Sequence, residues 1–130
     1  MNKKQKTKIL ERTKEIFEQM LFFLPYDVIY SFHTTKNKEN GSGGFFAIYF
    51  EPTTKKIDFY IYDSLYNEVD TLNKRQILWL KFTIAHEIGH IFIWELSDMT
   101  HKKFNHDITE KTASDIAFLL IDLYNKKYEK

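Results

Sequence analysis

His86, Glu87 and His90 spell H-E-x-x-H inside an apolar, helix-forming run over residues 81–93. Residues four apart on a helix lie on one face, one turn apart. His86 and His90 therefore direct two imidazoles at one point. Two imidazoles so placed suit a tetrahedral Zn²⁺, with each nitrogen about 2.0–2.1 Å from the metal. Glu87, one residue on, sits at the rim of the same face, where a carboxylate can take a proton from a metal-activated water. This is the pattern of zinc metallopeptidases, with Glu87 as general base.

Two histidines leave such a site incomplete, because catalytic zinc takes three protein ligands and keeps one position open. In one large branch of these peptidases the third ligand is a Glu on a following helix. Glu110, twenty residues after His90, answers that description. Glu110, Ala113 and Ser114 share a helix face, and the small Ala113 allows the two helices to approach closely. Asp98 and Asp107 are other carboxylates in reach, without the matching helical context. His101 and His106 are loop residues able to polarise a substrate carbonyl, and His33 stands apart from both.

The elements that must position these residues follow from hydrophobic period. Ile9, Leu10, Ile16, Phe17, Met20, Leu21 and Leu24 recur at helical spacing, which predicts an amphipathic helix over 7–24, ended near Pro25, after a frayed tail over 1–6. Residues 27–33 read as a first strand and 34–44 as a polar loop. Its Gly41-Ser-Gly-Gly44 lacks the phosphate-loop pattern. Residues 45–50 and 56–62 are β-branched and aromatic, and the turn 51–55 joins them as a hairpin. In the second of these strands Ile57, Phe59 and Ile61 share a core face. Asp58, Tyr60 and Tyr62 share the other, a half-exposed tyrosine stripe able to serve as a peptide-binding surface. A polar connection over 63–73 leads to a helix from 74 or 75 to 95, apolar nearly all round and so buried. A loop over 96–106 and a last helix over 107–128, capped by Asn105 or Asp107, complete the chain.

Composition narrows the chemistry. The 130 residues are 43% hydrophobic and 17% aromatic, enough for one globular domain over 1–130. There is no cysteine, so a metal must be held by His and carboxylates. The formal net charge of +1 gives no electrostatic case for nucleic acid or an anionic membrane. No signal-peptide pattern follows the basic N-terminus, and the apolar stretch 20–30 is too short to span a bilayer, so a cytoplasmic location is expected.

Phe82-Thr-Ile-Ala-His-Glu-Ile-Gly-His90, followed by Glu110-Lys-Thr-Ala-Ser-Asp-Ile-Ala117, resembles the ImmA/IrrE family of bacterial and phage metallopeptidases. That family has an F-T-x-A-H-E-[LI]-G-H helix and a downstream E-x-x-A-[ND]-x-F-A helix. The segment 44–61 is similar to its glycine, strand, turn, strand segment, and the resemblance covers about residues 40–120. It implies an α+β, zincin-like domain: an N-terminal helix, a short three-stranded antiparallel sheet, the H-E-x-x-H helix and a C-terminal helix carrying the third ligand. It implies Zn²⁺ held by His86, His90 and Glu110, with Glu87 as catalytic base. The implied activity is cleavage of an intracellular regulator, a DNA-binding repressor of a phage or mobile element. The alternative is a zincin-fold antirepressor that sequesters such a repressor without cutting it. Ser114 and Ile116 depart from the family pattern. Ser114 stands where Asn or Asp orients a zinc-binding His, a task a hydroxyl performs more weakly. The helix-turn-helix of longer relatives has no counterpart here, so neither direct nucleic-acid binding nor a membrane partner is expected.

Overall fold

The computed structural model describes residues 1–36 and 44–129. Most of the expected polar loop over 34–44, including Gly41, Ser42 and Gly43, lies outside them. Among the described residues the fold is α+β, four helices and a three-stranded mixed sheet.

Helix α1 spans Lys3–Leu21. It starts four residues before the expected Thr7, because the Asn2 side chain accepts a hydrogen bond from Gln5 N at 2.8 Å and caps it. The segment expected to fray is thus largely helical. Its buried face is Ile9, Thr13, Ile16, Phe17 and Met20. Thr13 is tolerated there because its hydroxyl donates to Ile9 C=O at 2.8 Å.

Strands β1 (Ile29–Thr35), β2 (Phe46–Glu51) and β3 (Lys56–Tyr62) form one sheet in the order β1-β3-β2. The β2–β3 hairpin is antiparallel, as its turn requires. The expectation of an all-antiparallel sheet fails at β1, which pairs parallel to β3, with Phe32 opposite Phe59. Side-chain alternation is the same for a parallel and an antiparallel neighbour, so hydrophobic period cannot tell them apart. The chain between β1 and β3 carries β2 to the far edge, and β3 returns through the middle of the sheet. Ile57, Phe59 and Ile61 are fully buried or nearly so, as their alternation requires. Phe17 of α1 stacks on Phe59 at 4.3 Å between centroids, and Phe46 stacks on it at 5.3 Å. On the other face Tyr60 is half-buried and Tyr62 buried, so the tyrosine stripe is not continuously open.

The segment 63–73 is more than connection. A single turn, α2 (Leu65–Glu68), puts Leu65 and Val69 into the core. Helix α3 then runs Lys74–Thr100, capped by Asn73, whose side chain accepts from Gln76 N at 2.9 Å. It outlasts the expected end at Glu95 and consumes half of the expected loop. His101, left-handed at φ 56°, ends it. The helix is not buried all round: Leu80, Ile84, Ile88 and Ile91 are enclosed, but Leu78 is 55% exposed. Helix α4 spans His106–Tyr128 and is capped by Asn105 rather than Asp107, with Ile108 N donating at 2.8 Å. Ala113, Ala117, Leu120 and Tyr124 are its buried face, whereas Ile108, Leu119 and Leu123 are exposed.

Helices α3 and α4 form an antiparallel pair joined by a short loop. Its far end is fastened by Lys81, buried in α3, which pairs with Glu129, lies 3.3 Å from Asn125 Oδ1 and sits over the Tyr124 ring. Among the described residues no helix is long and apolar enough to cross a membrane.

Candidate metal centre

Small residues set the geometry of the α3–α4 seam. Ala85 and Gly89 repeat at i, i+4 on α3, Ala113 and Ala117 on α4, and all four are buried. At Gly89 the backbones nearly touch: a Cβ added there would lie 2.7 Å from Ala113 O and 3.1 Å from its Cα. The close approach needs a glycine for lack of volume, and it brings the fifth residue of α4, Glu110, across to the histidines of α3.

The result is a convergence of acceptors. His86 Nε2 lies 3.0 Å from Glu110 Oε2, His90 Nε2 lies 3.4 Å from Glu110 Oε1, and the two Nε2 atoms are 3.2 Å apart. The fourth contact is His86 Nδ1 to Ser114 Oγ at 3.2 Å. A neutral imidazole has one N–H. With the Nδ1–H of His86 given to Ser114, the Nε2 lone pair of His86 points at a second imidazole nitrogen and a carboxylate. Such a cluster is stabilised by a cation at its centre. His86, His90 and Glu110 form a group that can hold a metal ion. Of the residues weighed as third ligand, Glu110 joins the histidines, and Asp98 and Asp107 do not.

The surroundings disfavour a proton on His90. Burial pushes the His90 pKa below its ordinary value; the Glu110 carboxylate opposes this, and the neighbouring His86 and His106 add to the lowering. A neutral His90 is the ligand form. The side chains of His86 and His90 are 20% and 12% exposed, and Glu110 is 44% exposed, so the group opens to solvent on the α4 side.

Glu87 follows His86 on α3 and is half-buried. Its charge reaches Tyr62 of β3, whose hydroxyl pKa is raised mainly by burial, then by Tyr49, Tyr60 and Glu87. Glu87 is not one of the three residues of the ligand group. His106 opens α4 one turn before Glu110 and is near enough for its charge to act on His90. His101 serves as the α3 terminator, and His33 is paired with Asp58 on the outer sheet face.

Three contributors were not singled out from sequence. Gly89 was readable in principle from the paired small residues at i, i+4. Trp94, one turn beyond His90, stacks on its ring at 5.8 Å and 29°. Phe82, one turn before His86, packs beside it and against Phe118. The four side chains Phe82, His86, His90 and Trp94 form one stripe along α3, each one turn from the next.

No family model, no curated protein and no solved structure matches this chain.

Proposed function

We propose that the chain is a zinc-dependent endopeptidase. The observation that carries this reading is the placement of Glu110 against both histidines of an H-E-x-x-H helix, at 3.0 and 3.4 Å from their Nε2 atoms. A tetrahedron with metal–ligand bonds of about 2.0–2.1 Å has edges of about 3.3 Å, close to the three separations in this group. The donor set, two imidazoles and one carboxylate without thiolates, suits Zn²⁺.

When bound, zinc supplies Lewis acidity, making water a nucleophile near neutral pH and drawing charge from a scissile carbonyl. His86, His90 and Glu110 would hold it, with Ser114 Oγ 3.2 Å from His86 Nδ1 to orient that ring. Glu87 takes the proton from the attacking water and hands it to the leaving amine. Among the described residues the outer edge of β2, beside α3, is unpaired by another strand and offers backbone pairing to an extended substrate. Resemblance to ImmA/IrrE metallopeptidases, carried by residues 82–90 and 110–117, suggests a DNA-binding repressor as the substrate class.

The test is incubation of the zinc-loaded protein with repressors encoded beside it, followed by mass spectrometry. Cleavage that Glu87→Gln abolishes, with zinc content unchanged, is the expected result. Full activity in Glu87→Gln refutes the mechanism. Removal of the repressor in intact form, by wild type and Glu87→Gln alike, supports the antirepressor reading instead.

A further inference from the structure

Trp94 has two environments. One side of its ring lies on His90. It also lines, with Ile48, Tyr49, Phe50, Pro52, Ser97 and Asp98, a cleft of about 450 Å³ between β2 and the last turns of α3. Among the described residues β2 is an edge strand, paired only with β3. The cleft therefore has a strand edge on one wall and an indole continuous with the metal-capable group on the other. Lys55 pairs with Glu95, which ties the hairpin turn to α3 and holds the two walls together, and Tyr26 stacks on Phe50.

We propose that this cleft is a substrate subsite for a large apolar side chain of an extended peptide, with Trp94 as its specificity-determining wall. This rests on the endopeptidase reading. A peptide running along the edge of β2 alternates its side chains between two directions, so one residue can enter the cleft while its neighbours lie at the rim. The lining of Ile48, Phe50, Pro52 and Trp94 rewards apolar burial. Asp98, exposed at the rim, sets the sign of the neighbour: a basic residue is attracted and an acidic one repelled.

The experiment uses the full-length Glu87→Gln protein loaded with zinc and fluorescein-labelled heptapeptides read by anisotropy. The peptides carry Leu, Phe or Ala at the centre of a Ser/Ala sequence, with Lys or Glu beside it. Leu and Phe peptides are expected to bind about tenfold tighter than Ala peptides, the worth of a few buried methylenes. Trp94→Ala should erase that preference with zinc content unchanged, and Trp94→Phe should keep most of it. Asp98→Lys should reverse the preference for Lys over Glu. Equal affinity for Leu, Phe and Ala peptides, undetectable binding of all of them, or a preference that survives Trp94→Ala overturns the proposal. Failure of the endopeptidase reading is seen separately: the zinc-loaded wild type leaves the preferred peptides intact while their selectivity of binding remains.

Discussion

Two places in this molecule put a histidine against a carboxylate at nearly the same distance. On the outer sheet face His33 Nε2 lies 2.9 Å from Asp58 Oδ1, and His33 stacks on Tyr60 at 4.6 Å. In the α3–α4 seam His86 Nε2 lies 3.0 Å from Glu110 Oε2. The first is a two-member pair on neighbouring strands, 40% and 31% exposed, whose geometry follows from sheet register. The second adds a second imidazole, a hydroxyl on the remaining nitrogen of His86, and a backbone approach that excludes even a methyl group. Distance between a histidine and a carboxylate therefore does not tell the two places apart. Convergence of three ligand atoms, held by closely packed helices, does.

That contrast can be broken most directly by removing ligands. Glu110→Ala or His86→Ala should lower zinc affinity by more than about 100-fold, beyond the usual effect of an outer partner. His33→Ala and Asp58→Ala should leave it unchanged; equilibrium dialysis with metal analysis measures both. An equal loss from the sheet pair would erase the distinction.

The seam itself is tested at Gly89. Gly89→Ala forces a methyl against the Ala113 carbonyl. Overpacking costs about 1–3 kcal/mol, set against about 1 kcal/mol that alanine gains in a helix. A net loss of stability in urea melts is expected, together with weaker zinc binding as Glu110 is displaced. Unchanged zinc affinity would mean that the close approach does not position Glu110.

Ser114→Ala probes the orienting hydroxyl and should weaken zinc about tenfold, the low end for an outer partner, because serine offers a single weak contact. Ser114→Asn should restore or exceed the wild-type affinity. Acidification comes next. His90 has a folded pKa below its unfolded value of 6.5. Its contribution to metal-free stability is present above that value and lost as pH falls through the folded pKa. Denaturation of the metal-free protein should show this acid-side loss, and His90→Gln should remove it. The smallest effect is at the α3 terminus. His101→Gly relieves a left-handed non-glycine residue and should stabilise by up to about 1 kcal/mol in thermal melts, leaving zinc affinity intact.

The comparison also shows where sequence reading stops. Period-two alternation placed Ile57, Phe59 and Ile61 in the core, and helical period placed Ile9, Ile16, Phe17 and Met20 there, because burial depends on which face a residue occupies. The same alternation could not show that β1 runs parallel to β3. Nor could it show that α2 buries Leu65 and Val69, since four residues are too few for a period. The length of α3 is not legible in the sequence because its end is set by the backbone of His101, a residue that carries no strong stop signal.

What the sequence by itself determined is the donor set and its helical spacing. At about 3.6 residues per turn, positions four apart lie about one turn along, so His86 and His90 share a face whatever surrounds them, and the absence of cysteine leaves only imidazole and carboxylate to meet them. Helical context favours Glu110 over Asp98 and Asp107, but only the tertiary structure decided that it reaches the histidines. Glu110, Asp98 and Asp107 are equivalent as chemistry. Glu110 joins the histidines because Gly89 and Ala113 let two helices touch, and because α4, capped at Asn105, starts where its fifth residue faces that contact.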